Sequence, residues 1–147
     1  MSKEELIKLM RNFRDAFNNK ELEKLLSYLA EDADWIHPFG EFRGKEAIRK
    51  FLKWGFKMSP DQKIVPSGAD IIAEEDKAIA EHLLEGSHEG MKYQVLGYCT
   101  YEAKRDKIQH LRTAYDRLSQ AKQLAKGKIA QTAVNSVIKQ MGKDLAV

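Results

Sequence analysis

Cysteine is almost missing from this chain. The 147 residues hold one, Cys99, which excludes an intramolecular disulfide and a cysteine-built metal site and suits a reducing compartment. No apolar run approaches the roughly 20 residues needed to span a bilayer. The charged opening MSKEELIK lacks the apolar stretch of a secretion signal. A soluble, cytoplasmic protein is expected. Three prolines and nine glycines are scattered and build no linker, repeat or low-complexity segment. A Gly-rich phosphate loop and a G-x-S-x-G elbow are both absent. No cluster has metal-ligand spacing. His82 and His88, on one strand, would stand roughly 20 Å apart, too far to share an ion. No metal and no cofactor are expected.

Net charge is also small, at +3, and does not point to nucleic acid. It is unevenly placed, with six Lys/Arg against one acid over residues 117–147. Such a run is expected to be a solvated helix face, so neither nucleic acid nor a membrane is expected as a partner. The length suits one domain with one core.

What is present is strong periodicity. Ser2 and Glu5 have capping-box spacing, and Leu6, Leu9, Met10, Phe13, Ala16 and Phe17 then recur at three and four residues. Asn18 and Asn19 end this helix. A short second helix carries Leu22, Leu25, Leu26 and Leu29 inward. Residues 34–37 read as a short strand that Pro38 and Gly40 stop. A third helix, KEAIRKFLKWGF, runs from Lys45 until Ser59-Pro60-Asp61 breaks it. The period then changes to two. Strands are predicted over 69–74, 78–88, 91–104 and 108–117, joined by the turns Glu75-Asp76-Lys77, Glu89-Gly90 and Arg105-Asp106-Lys107. In the long strand, Met91, Tyr93, Val95, Gly97, Cys99, Tyr101 and Ala103 should face the core. From Leu118 the helical period returns through Met141, weakened at Gly127 by about 1 kcal/mol relative to Ala. Helices followed by a meander of long strands predict an α+β architecture, one curved sheet with helices on one side.

Two stretches carry a resemblance. NNKELEKLLSYLAEDADWIHPFGEFRGKEAIRKF resembles the opening of SnoaL-like domains. YQVLGYCTYEAKRDKIQHLRTAYD resembles the last hairpin of that family. Together they cover residues 5–117. The family belongs to the nuclear transport factor 2-like superfamily, with ketosteroid isomerase, scytalone dehydratase and limonene epoxide hydrolase. The resemblance implies a cone-shaped, curved antiparallel sheet wrapped around the N-terminal helices and an apolar pocket. It also implies a homodimer through the outer sheet face. The expected organisation is a SnoaL-like domain over 1–117. Residues 118–147 then form an amphipathic helical extension, packed on the same domain or on a partner subunit, as a lid or an interface.

His37 matches the place, directly before a proline, where ketosteroid isomerase keeps its catalytic aspartate. It is the candidate base, because imidazole titrates near neutral pH. The alternative is a buried histidine that lines the pocket and catalyses nothing. Thr113 stands where polyketide cyclases of the family carry an acid/base aspartate. Gly97 and Cys99 stand where those enzymes have a supporting glutamine and histidine. Phe13 and Phe17 replace the oxyanion-binding tyrosine of ketosteroid isomerase, so an oxyanion donor would come from Tyr101, Tyr93 or Thr113. Trp35, Phe39, Phe51, Trp54 and Tyr101 could wall a pocket for a flat apolar ligand, or be plain core, and Tyr93, Cys99 and Tyr115 complete the expected ligand-binding set. Asp116 is placed to cap the last helix, and Arg112 to pair with Glu102 or across a dimer. The implied function is cofactor-independent isomerisation, cyclisation or dehydration of a small apolar carbonyl compound by proton transfer. A non-catalytic binding or interaction module of the same fold is the alternative.

Overall fold

The computed structural model describes residues 1–143. The last four residues of the expected C-terminal extension lie outside the described residues. Helix α1 (Lys3–Asn18) starts at a reciprocal cap: Ser2 Oγ accepts from the Glu5 amide at 3.2 Å, and the Glu5 carboxylate accepts from the Ser2 amide at 2.7 Å. Its inward face buries Leu6, Met10, Phe13, Ala16 and Phe17. Helix α2 (Leu22–Ser27) follows, then strands β1 (Leu29–His37) and β2 (Gly40–Arg43) and helix α3 (Lys45–Met58). Four long strands come next: β3 (Lys63–Glu74), β4 (Lys77–His88), β5 (Met91–Lys104) and β6 (Lys107–Tyr115). Helices α4 (Arg117–Leu124) and α5 (Gly127–Met141) end the described chain.

The six strands form one sheet in the order β2-β1-β6-β5-β4-β3. Neighbours are antiparallel except β1 and β6, which run parallel, so the expected antiparallel sheet is mixed at this one seam. The period-two reading of β5 holds: Tyr93, Val95, Cys99, Tyr101 and Ala103 are buried and their alternates are not. Two strands depart from expectation. β1 starts at Leu29, which belongs to the strand and not to α2. Pro38 does not end the sheet there; Pro38 and Phe39 form the two-residue link of a hairpin in which His37 opposes Gly40. β3 starts at Lys63, six residues before the predicted start at 69. Pro66 and Gly68 mask this stretch. Both are tolerated because β3 is an edge strand and its register shifts between Pro66 and Ile71.

Side chains finish the sheet where strands are lacking. Asn18, at the end of α1, accepts from the Ile64 amide at 2.8 Å and donates to the Ile64 carbonyl at 2.9 Å. It thereby covers the free edge of β3. Arg14 reaches Asp70 in the same irregular stretch at 2.5 Å. On the other side β6 ends opposite Gly97, so Gln94 of β5 has no strand beyond it. Gln123 of α4 fills that place, accepting from the Gln94 amide at 2.8 Å and donating to its carbonyl at 3.0 Å.

The C-terminal extension is therefore divided. Asp116 caps α4 as predicted, its carboxylate accepting from the Leu118 and Ser119 amides at 2.9 Å. α4 packs on the same domain, with Leu124 against the Leu84, Tyr93 and Val95 cluster. The chain then becomes extended at Ala125 and Lys126, and Gly127 takes φ +79°. The single stripe from Leu118 to Met141 breaks at this glycine, and α5 buries none of its residues. The expected Arg112–Glu102 ion pair does not form among the described residues. Arg112 opposes Thr100, and Glu102 opposes His110.

The central packing unit is Phe13, 1% exposed, set edge-on against Trp35 and Tyr101 with both ring centroids at 6.1 Å. Phe13→Ala should cost about 3–5 kcal/mol of stability, read from the midpoint of urea unfolding at constant m-value. A loss below about 1 kcal/mol would mean that α1 does not wedge the sheet open.

Candidate functional site

Past the end of α1 the concave face of the sheet is not filled. A cavity of about 250 Å³ remains there. Its walls come from every layer: Trp35 and His37 of β1, Phe51 and Trp54 of α3, His82 and His88 of β4, Tyr93 and Cys99 of β5, Thr113 and Tyr115 of β6, and Gln120 and Leu124 of α4. Phe39 and Trp54 stand at the surface, 45% and 44% exposed, with rings 5.1 Å apart. Among the expected site residues, His37, Thr113, Trp35, Phe39, Phe51, Trp54, Tyr93, Cys99 and Tyr115 all line this cavity. Tyr101 does not. Its ring is 6% exposed and packs on Phe13 in the core, where burial pushes its hydroxyl well above the usual tyrosine range.

His37 sits in a box of rings. Phe39 is stacked on it at 5.5 Å, Phe51 lies at 4.8 Å, Tyr115 at 5.6 Å and Trp35 at 5.9 Å. Burial among these rings, with the nearby Arg117 charge, pushes its pKa down to about 4. The ring is therefore neutral at physiological pH. The Phe39 amide donates to Nδ1 at 3.2 Å. A neutral imidazole that accepts at Nδ1 carries its proton on Nε2. His37 thus presents an N–H donor, which differs from the lone pair that a base would need.

Other polar groups divide into spent and free. The Tyr93 hydroxyl accepts from Gln62 at 2.7 Å and meets Ser59 Oγ at 3.2 Å. Ser59 in turn donates to Asp61 at 3.3 Å. Hydrogen bonds from Ser87 hold the Asp61 carboxyl below the usual range. The Tyr93 proton is consumed in this chain, so Tyr93 is not a free oxyanion donor. Thr113 Oγ1 accepts from Trp35 Nε1 at 2.9 Å and lies 3.2 Å from Cys99 Sγ. Burial pushes the Cys99 thiol up to about 11, so it is no nucleophile at neutral pH. The Tyr115 hydroxyl has no protein partner among the described residues, and burial raises it to about 12. It remains an O–H donor. His37 and Tyr115 are accordingly two free donors on one side of the cavity. Arg117 adds positive charge at its edge, lying 4.5 Å over the Phe39 ring and donating to the Pro38 carbonyl at 3.0 Å.

Two glycines make room. A Cβ on Gly97 would come within 2.9 Å of His82 Nε2, and one on Gly86 within 2.7 Å of Ser59 Oγ. His82 is 2% exposed, its Nδ1 has no partner among the described residues, and burial lowers its pKa. Sequence reading put His82 and His88 on one strand face but gave neither a place in the site. Ser59 and Gln62 were unreadable, because they lie in a helix-breaking loop with no periodicity.

The depressed His37 pKa makes stability depend on pH. Between about 4 and 6.5 the unfolded chain binds a proton at this position and the folded chain does not. Stability contributed here is present above pH 6.5 and is lost as pH falls towards 4, with a slope of up to about 1.4 kcal/mol per pH unit. Denaturant unfolding of wild type and His37→Phe between pH 4.5 and 7 should differ by that slope, the variant being flatter. Parallel curves would refute the half-buried, neutral imidazole.

Comparison with known proteins identifies the fold and the family. No curated protein matches the sequence. Among solved structures, a nuclear transport factor 2-like protein of unknown function from Burkholderia pseudomallei superposes with TM-score 0.76 at 15% identity, covering 86% of this chain and 100% of the other. A candidate polyketide cyclase from Pseudomonas putida gives TM-score 0.72 at 21% identity, covering 82% and 98%. TerC, co-crystallised with polyporic acid, gives 0.73 at 16% identity, covering 81% and 97%. These likenesses establish a shared α+β fold. The SnoaL-like domain family matches residues 10–111, most of the chain and all of the sheet up to the middle of β6, and the protein therefore belongs to the SnoaL-like domain family.

Proposed function

We propose that this protein binds a small, flat, carbonyl-bearing compound in the aromatic cavity and acts on it by proton transfer, as an isomerase, cyclase or dehydratase. The observation that carries this reading is the pairing of an apolar wall with free donors at His37 Nε2 and the Tyr115 hydroxyl. A carbonyl oxygen placed between them gains hydrogen bonds that strengthen as it becomes an enolate. The charge of Arg117 favours the same change. Neighbours described as candidate polyketide cyclases and the co-crystallisation of TerC with polyporic acid support an organic ligand of this kind. The cyclase aspartate is replaced by Thr113, so the proton chemistry is not inherited by residue identity.

Loss of the donor is the test. With a turned-over ketone, His37→Phe keeps an aromatic ring in the box and removes the N–H. Turnover should fall by about 10²–10³, with little change in KM. Unchanged turnover would remove His37 from the reaction. Tight ligand binding with no turnover in wild type would favour the second reading, a binding module, which the missing cyclase residues support.

We also propose a homodimer through the outer face of the sheet. Ile72 and Ile79 oppose each other there, and Leu96 and Tyr98 lie on β5, with exposures of 40–56%. Apolar residues grouped on adjacent strands suit a covered surface. Light scattering should give about twice the chain mass of 16.9 kDa, reduced to one chain by Leu96→Glu. A monomeric wild type would sink this assembly.

A further inference from the structure

We propose that His82 forms a second polar subsite in the cavity, which takes a hydroxyl at the end of the ligand opposite its carbonyl. This inference rests on the reading above, in which the carbonyl sits between His37 and Tyr115. It deepens that reading by narrowing the ligand class to flat hydroxy-carbonyl compounds.

His82 is a polar exception on an apolar face. The inward residues on either side of it on β4 are Ala80 and Leu84, and all three are buried. A buried polar ring is normally hydrogen-bonded. His82 is 2% exposed, yet its Nδ1 is sealed without a partner among the described residues. Nε2 is not sealed in this way, and His82 lines the cavity, so Nε2 is the nitrogen that reaches the open space.

Strand register carries this nitrogen towards the carbonyl site. His82 opposes Gly97 of β5, and Gly97 opposes Tyr115 of β6. Directly opposed residues share a face, so the three form one row across the concave side of the sheet. Gly97 contributes no side chain to the row, and the imidazole leans into the room this leaves. Its Nε2 stands 2.9 Å from where a Cβ on Gly97 would lie. His82 and Tyr115 are two strand spacings apart, about 10 Å at the backbone. The Tyr115 ring in turn is 5.6 Å from the His37 ring. A bicyclic compound with its carbonyl at His37 and Tyr115 can therefore lie along this row, with its far end at His82.

A hydroxyl is the group that fits there. Burial keeps the His82 ring neutral, outweighing the nearby Ala80 carbonyl that favours its charged form. A neutral ring offers no counter-charge to a carboxylate or a phosphate. A hydroxyl both donates and accepts, so it satisfies Nε2 in either tautomer. Thr113 and Tyr93 on the neighbouring strands are already engaged, with Trp35 and Gln62.

The probes are 2-tetralone and 6-hydroxy-2-tetralone, flat ketones that differ by one hydroxyl at the far end of the long axis. Calorimetric titration of the full-length protein should give about three- to tenfold tighter binding of the hydroxy compound. His82→Phe keeps a ring, removes both nitrogens and should bind the two alike. Gly97→Ala, whose Cβ displaces Nε2 from another strand, should also lose the preference with His82 still present. In long-range ¹H–¹⁵N spectra of wild type, the His82 Nε2 signal should move further with the hydroxy compound than with 2-tetralone. Equal affinities in wild type, or a preference that survives in His82→Phe, would overturn the subsite and leave the proton-transfer reading standing. If His82→Phe does not fold, the Nε2 signal decides, and equal shifts with the two ketones would overturn the subsite. Hydroxyl-selective binding without turnover would uphold the subsite and overturn proton transfer. Binding of neither ketone would overturn both.

Discussion

A strongly curved sheet needs something inside its bend, and here it is the apolar face of α1. Phe13 stands edge-on between Trp35 of β1 and Tyr101 of β5, two strands that are separated by β6. Burying one rigid ring against both holds the sheet in a curve. The helix fills only part of the concavity. The cavity is the remainder, beyond Phe17, and its position follows from where α1 stops.

The same economy appears at the sheet margins. Asn18 and Gln123 are amide side chains that bond both the N–H and the C=O of one strand residue, Ile64 and Gln94 respectively. Each imitates a missing strand for the length of one residue. The first ties α1 to the edge of β3. The second ties α4 across the end of β5, which brings Gln120 and Leu124 to the cavity wall. Closure of the pocket by the C-terminal segment thus depends on a backbone pair left open when β6 ends before β5.

The chemistry of the cavity is likewise decided by the backbone. Imidazole is donor or acceptor at a given nitrogen according to what faces the other one. The hairpin at Pro38-Phe39 turns an amide towards His37, and the end of α3 turns a carbonyl towards His88. Burial keeps His37 neutral and Cys99 protonated, so neither an imidazolium nor a thiolate is available at those two places near neutral pH. An aromatic wall with oriented neutral donors suits the stabilisation of negative charge on oxygen.

Much of this was legible in residue order. Alternation along β5, the capping box at Ser2 and Glu5, the turn residues at Glu89-Gly90 and the cap at Asp116 are local devices, and local physics reads them correctly. Most of the cavity wall was legible too, because Trp35, Phe39, Phe51, Tyr93 and Tyr115 are large rings in the segments that surround it. Other features depend on partners distant in the chain. The early start of β3 is hidden by Pro66 and Gly68, whose tolerance needs an edge position that no local pattern reveals. Tyr101 and Tyr93 alternate on one face of one strand. Only packing sends the first against Phe13 and engages the second with Gln62 and Ser59. The protons of His37 and His88 are likewise assigned by distant or turn backbone, an amide facing Nδ1 of the one and a carbonyl facing Nδ1 of the other. Pattern determines which side of an element a residue faces; what waits there is decided by how distant segments fold together.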